Sequence, residues 1–154
     1  MITVYTDGAS RGNPGPGGYG VVLLSGKHRK ELSEGFRKTT NNRMELLAVI
    51  KALEALKKRD MKVLIYSDSK YVVDAINQRW LDGWIKKGFK KVKNPDLWQR
   101  FLNIYRKFPP QQVTFKWVKG HAGNTENERC DQLAVQSAEG DNLKVDVGYE
   151  QQAE

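Results

Sequence analysis

The chain has 154 residues, a formal net charge of +8, 39% hydrophobic and 29% charged residues, and one cysteine. That length suits one domain with its own core, and the composition excludes a disordered chain. No apolar run is long enough for a membrane helix, no signal peptide is visible at Met1–Asp7, and a lone Cys130 excludes an internal disulfide or a multi-cysteine zinc site. The expected setting is the cytoplasm. The positive charge points to a polyanionic partner. It is uneven: residues 79 to 107 carry nine basic and two acidic side chains, whereas residues 139 to 154 carry five acids and only Lys144.

Residues 2 to 7 alternate as a strand, followed by a loop rich in Gly, Asn and Pro up to Gly18. Residues 19 to 26 and 31 to 37 read as two further strands of an antiparallel meander. Thr39-Thr40-Asn41-Asn42 is a helix-start cluster, and the apolar spacing from Met44 to Leu56 predicts a helix reaching about Arg59. Val63-Leu64-Ile65-Tyr66 predicts a short buried strand, with a helix from Ser69 onward. Asn94-Pro95 opens another helix to about Lys107, and Pro109-Pro110 stops it. Val113, Phe115 and Trp117 alternate as a last strand. Thr125 and Glu128 have capping-box spacing, predicting a helix to about Ala138. The order βββαβααβα implies one α/β domain, residues 1–154, with a mixed five-stranded sheet. The tail from about Gly140 is expected to be mobile.

Gly15-Pro16-Gly17-Gly18-Tyr19-Gly20 matches a dinucleotide fingerprint by letter, but it leads into the strand Val21-Val22-Leu23-Leu24, not into a helix. Four acids are more informative. Asp7 and Asp68 end strands, Glu45 stands at the start of the long helix, and Asp131 lies in the last helix. Each has a bland alternative: a turn cap for Asp7, a helix cap for Asp68, a helix-start charge for Glu45, a solvated position for Asp131. If the first and fourth strands are neighbours, these acids converge. Such a cluster repels itself unless it holds cations. Oxygen-only ligands favour Mg²⁺ or Mn²⁺, and a pair of such ions is the usual device for phosphodiester cleavage. A basic, aromatic-rich chain with that cage reads as a nuclease.

The same residues lie in motifs that resemble a known family. Asp7-Gly8, Gly12 to Gly18, Thr40-Asn41-Asn42-Arg43-Met44-Glu45-Leu46, Ser67-Asp68-Ser69, Trp117-Val118-Lys119-Gly120-His121 and Asn127-Glu128-Arg129-Cys130-Asp131 resemble stand-alone bacterial type 1 ribonuclease H, from about residue 2 to residue 149. The resemblance implies the ribonuclease H-like fold, with strand order 3-2-1-4-5 and helices on both faces. It implies a monomeric, metal-dependent endonuclease that cuts the RNA strand of RNA–DNA hybrids, leaving a 3′-hydroxyl and a 5′-phosphate. Asp7, Glu45, Asp68 and Asp131 would hold two Mg²⁺ ions, with Mn²⁺ as a substitute; one ion would activate the attacking water and the other stabilise the leaving oxygen. His121 would assist proton transfer or product release.

The resemblance also implies a substrate surface. Gly8, Ser10, Asn13, Asn41 and Glu45 would line the groove that reads the 2′-hydroxyl, the group that marks RNA. Thr40 and Arg43, with Asn41, would lie near a DNA-strand phosphate. Residues 79 to 93 correspond to a basic protrusion: Lys86, Lys87, Lys90, Lys91 and Lys93 would neutralise phosphates, and Trp80, Trp84 or Phe89 would pack on sugars. Trp98 and Trp117 are expected in the core. Three departures stand out. Only Phe89-Lys90-Lys91 separate Gly88 from Val92, a shortened protrusion. Lys70 stands where a groove-reading Gln is common. Asn124-Thr125 replaces a more familiar His-Pro. Another nuclease or strand transferase on the same fold, and a non-catalytic binding module, are the competing readings.

Overall fold

The computed structural model describes residues 1–119 and 124–152. Strands β1 (Ile2–Ser10), β2 (Gly15–Ser25) and β3 (His28–Thr39) form the antiparallel meander and run longer than their sequence patterns suggest. Helix α1 (Asn41–Ala55) follows, then β4 (Val63–Ser67) and α2 (Lys70–Asn77). Next come α3 (Trp80–Lys86), α4 (Pro95–Tyr105), β5 (Val113–Trp117), α5 (Thr125–Glu139) and a short α6 (Val147–Gln152). The sheet order is β3-β2-β1-β4-β5, with β4 parallel to both β1 and β5. Crossovers through helices make those parallel neighbours possible.

Local chemistry accounts for the element ends. The Thr40 hydroxyl accepts from the Arg43 N–H, so Thr40 caps α1. The helix stops at Ala55; Lys57, Lys58 and Arg59, expected in its last turn, follow in the connection to β4. Ser69 caps α2 through its hydroxyl, which takes that task from Asp68. Asn124 caps α5, accepting from Glu126 N–H and Asn127 N–H, so the expected capping box at Thr125 is not the device used.

The sheet separates two apolar clusters. Val4, Val21, Leu46, Ile50, Ile65, Val72, Trp98 and Phe101 fill the α1 side, and Val22, Cys130 and Leu133 fill the α5 side. Trp98 is fully buried, and its indole N–H donates to the Tyr71 hydroxyl at 2.9 Å. Trp84 packs edge-on against it with ring centroids 5.4 Å apart, which anchors α3 to the core. No helix among the described residues is long and apolar enough to cross a membrane.

The segment after Gly140, expected to be mobile, is held on β3. Backbone bonds join Lys144 to Gly35 and Arg37, and Arg37 forms a two-pronged ion pair with Glu150. Asp146 is buried beneath it.

Candidate active site

The parallel pairing of β1 with β4 does most to build the site. Thr6 lies opposite Ser67, which sets Asp7 and Asp68 side by side. Asp68 directly follows β4, whereas Asp7, expected at a strand end, lies within β1, which runs on to Ser10 because β2 continues to pair with it. Gly8 then lets β1 meet α1: a Cβ there would overlap the backbone of Met44 and Glu45. That close approach delivers Glu45 to the same point. Glu45 is the fifth residue of α1 and stands beyond the first turn, so a helix-start charge is not its role. Carboxylate oxygens of Asp7, Glu45 and Asp68 all lie within 4.8 Å of one another. Asp131 falls outside that trio but close enough for its charge to act on Asp7. The neighbouring Cys130 fixes α5 to β1 by donating its thiol to the Tyr5 carbonyl.

This is an electrostatically open cluster. Burial, then the Asp68 charge, pushes the Asp7 carboxyl up to about 7; Asp131 adds to the push, and hydrogen bonds with Glu45 and Gly8 N–H oppose it. Burial, then Asp7 and Asp68, hold Glu45 well above the usual carboxylate range. Glu45 Oε1 and Asp68 Oδ1 are buried without a hydrogen-bond partner. No ion pair reaches these carboxylates among the described residues, and orphaned carboxylate oxygens are what a hard, oxygen-loving metal ion satisfies.

Beside the acids, Ser10, Asn13 and Asn41 come together from three separate segments. Asn41 Oδ1 accepts from the Ser10 N–H at 2.8 Å, and the Asn41 N–H donates to Asn13 Oδ1 at 3.1 Å. Thr40 is next to them. Lys70 is exposed at the start of α2, with its ammonium 4.8 Å from the centroid of the Trp117 ring. Lys86, Lys87 and Lys90 are exposed around the end of α3, and no ion pair occupies them among the described residues. Trp80 is half exposed, whereas Trp84 and Phe89 lie partly buried against the core. The short protrusion turns through left-handed backbone at Gly88, Phe89 and Lys91. His121 lies outside the described residues.

Two expectations are corrected. Arg43 is not available to a DNA phosphate: its side chain is 1% exposed and saturated by Asp96, Asp146 and Asn94. Arg43 faces into the protein because its side chain bridges α1, the start of α4 and the tail. Trp117 is not a core residue. It is 40% exposed, and its indole N–H donates to the Asp68 carbonyl at 3.1 Å. Trp117 and Asp146 were missed as site-supporting residues. Trp117 carried an ordinary strand signal, and Asp146 sits in an acidic tail without periodicity.

The RNase H family model matches residues 1–139. The chain belongs to the ribonuclease H family. It is 58% identical to the ribonuclease H of Desulforamulus reducens, covering 95% of this chain and 92% of that one. It is 56% identical to the ribonuclease H of Syntrophus aciditrophicus, covering 97% and 87%. Among solved structures it resembles LC9-RNase H1, described as a type 1 RNase H with the type 2 active-site motif. The TM-score is 0.79 and the identity 34%, covering 99% of this chain and 80% of that one. It also resembles LC11-RNase H1 in complex with RNA/DNA hybrid, with a TM-score of 0.67 and 32% identity, covering 90% and 97%. The chain is thus a nuclease of the hydrolase class, on the ribonuclease H fold with strand order 3-2-1-4-5.

Proposed function

We propose that this ribonuclease H hydrolyses the RNA strand of RNA–DNA hybrids, leaving 3′-hydroxyl and 5′-phosphate ends, with two Mg²⁺ ions bound beside the scissile phosphate. The observation that carries the reading is the Asp7–Glu45–Asp68 trio, with orphaned oxygens, next to the hydrogen-bonded Ser10–Asn13–Asn41 set. A solved relative captured with RNA/DNA hybrid supports the substrate class. Asp7, Glu45, Asp68 and Asp131 are the residues that would hold the ions; Mn²⁺ has the same ligand preference. Held there, such ions would supply a lowered pKa to a bound water and charge to offset that of the leaving oxygen.

The protein's own groups supply position and selectivity. Ser10, Asn13 and Asn41 are locked to one another, so their polar atoms meet a ribose 2′-hydroxyl without first being ordered. Gly8 lets the backbone of α1 come close enough to set Glu45 beside the groove. Thr40 keeps a hydroxyl proton to give a DNA phosphate, because its oxygen already accepts from Arg43 N–H. Lys86, Lys87 and Lys90 place charge along the backbone, and Trp80 has the most exposed aromatic face for a sugar. Trp84 and Phe89 reach the hybrid only with the faces they leave outside the core. Lys70 meets the groove as a cation. His121 would assist proton transfer or product release through its imidazole. The buried, unpaired Cys130 suits a reducing compartment, and we place the enzyme in the cytoplasm as a monomer.

A strand-labelled digest tests this. An RNA–DNA hybrid, duplex RNA and duplex DNA are each offered with Mg²⁺ and with chelator. Cutting confined to the hybrid's RNA strand, and to Mg²⁺, is the expected result. Equal cutting of duplex DNA would transfer the assignment to another nuclease of this fold, and binding without cutting would leave a binding module.

A further inference from the structure

A pocket of about 500 Å³ opens beside Thr40, away from the acid trio. Asn13, Thr40 and Asn42 line one side, Val92, Lys93, Asn94 and Pro95 another, and Tyr149 closes it. The lining offers amides, hydroxyls and one ammonium, and no carboxylate. That donor-rich, acid-free character fits an anion. Tyr149 is the unexpected member, because it comes from the C-terminal helix α6 and has no part in the motifs that define the site.

The structure explains why Tyr149 stands there. Asp146 accepts from Arg43 Nε at 2.8 Å, Arg43 Nη2 at 2.9 Å, the Thr39 hydroxyl at 2.6 Å and the Tyr149 N–H at 3.3 Å. Gly148 lies against the Arg43–Asp96 pair so closely that a Cβ would overlap both side chains. Glu150 is clamped by Arg37. Tyr149 is therefore held between a buried ion network and a surface ion pair. Such fixing lowers the entropy cost of using its side chain as a contact.

We infer that the docked C-terminal segment is one wall of the hybrid-binding groove, and that the Tyr149 hydroxyl donates to a DNA-strand phosphate seated beside Thr40 and Lys93. The inference rests on the hybrid reading proposed above. It makes Tyr149 a substrate-binding residue that governs affinity, while turnover belongs to the acids. It also gives the Arg43 network a task besides stability, since Arg43 ties the helix bearing Glu45 to the segment bearing Tyr149.

The test uses the full chain. Tyr149→Phe removes only the hydroxyl, Tyr149→Ala removes the ring, and Val147→Ala is a control on the exposed face of the same helix. For Tyr149→Phe, KM for the hybrid should rise about three- to tenfold, the worth of one hydrogen bond, with kcat unchanged. Tyr149→Ala should raise KM further, and Val147→Ala should change neither value. Binding is then measured in the Asp7→Asn background, with hybrids carrying one uncharged methylphosphonate linkage at successive DNA positions. At one position the linkage should weaken the parent more than Tyr149→Phe, because both changes delete the same interaction. Equal penalties at every position, or a loss confined to kcat, would overturn the inference while leaving the hybrid reading intact. A parent protein that neither binds nor cuts hybrid would overturn both.

Discussion

Two groups of acids, partly buried apart from the buried Asp146, flank the start of α1, and they are built in opposite ways. Asp96 and Asp146 share the Arg43 guanidinium, which meets each of them with paired N–H groups. Asp7, Glu45 and Asp68, reached from two residues further along the same helix, have one another and, at Asp7, the Gly8 N–H, with no ion pair among the described residues. The first group is closed: both carboxylates face one cation, and its donors are matched to acceptors. The second is open: oxygens of Glu45 and Asp68 are left orphaned, and the proton affinities of Asp7 and Glu45 are raised. A fold that completes one carboxylate group with arginine and leaves the other incomplete fits the external cation proposed for the second.

The sharpest way to break the comparison is to remove one acid from the open group. Asp7→Asn should lower hybrid cleavage by at least about 10³-fold, the scale of losing a main source of charge stabilisation in a transition state, while hybrid binding stays within a few-fold. Strand-labelled digestion and a binding titration read both. Retained cleavage at saturating Mg²⁺ would show that Asp7 is not a ligand.

Removing the cation from the closed group should do the reverse. Arg43→Ala leaves two carboxylates without compensation and should cost about 3 to 5 kcal/mol of stability, read by denaturant unfolding. A loss below about 1 kcal/mol would mean that the network is solvated in practice.

The open group should make itself felt in stability as well, with the opposite sign. The Asp7 carboxyl binds its proton more tightly in the fold, at about 7, than its ordinary value of 3.8. The folded state then holds more protons than the unfolded chain, so stability falls as pH rises between those values and the penalty is complete above the upper one. Without divalent ions, Asp7→Asn should therefore raise stability at about pH 8 by about 1 to 3 kcal/mol, and should flatten the decline of Tm with pH. Saturating Mg²⁺ should narrow the gap by stabilising the parent. A variant less stable than the parent in chelator would contradict the electrostatic account.

The smallest effect belongs to the surface. Lys86→Ala, Lys87→Ala and Lys90→Ala together should weaken hybrid binding and reduce the salt slope by about 0.9 for each phosphate no longer neutralised. An unchanged slope would mean that the shortened protrusion does not meet the backbone.

Much of this was legible in the residues themselves. Asp7 and Asp68 at strand ends, Glu45 behind a helix-start cluster and the separated glycine and asparagine motifs were enough to name the family. Apolar spacing located the strands and the first two helices, and cap and proline signals located the helices of residues 95–105 and 125–139. Arg43 misled because a basic residue inside a substrate motif reads as a phosphate ligand. Its partners, Asp96 and Asp146, are 53 and 103 residues away along the chain. Trp117 misled because strand alternation cannot tell a central strand from one at the sheet edge, where β5 lies.

Hydrophobic spacing, helix caps and the acid-bearing motifs are short-range features, so the sequence alone determined the five strands, the four longer helices, the family and the candidate ligands, while α6 and several element ends came from tertiary contacts. Which charges are satisfied depends on distances between elements. The parallel register of β1 with β4 brought Asp7 and Asp68 together, the bare Gly8 brought Glu45 to them, and the docked tail gave Arg43 its second carboxylate. Only tertiary structure could decide those pairings. Coulomb energy and desolvation act over a few Å of space, whatever the separation along the chain.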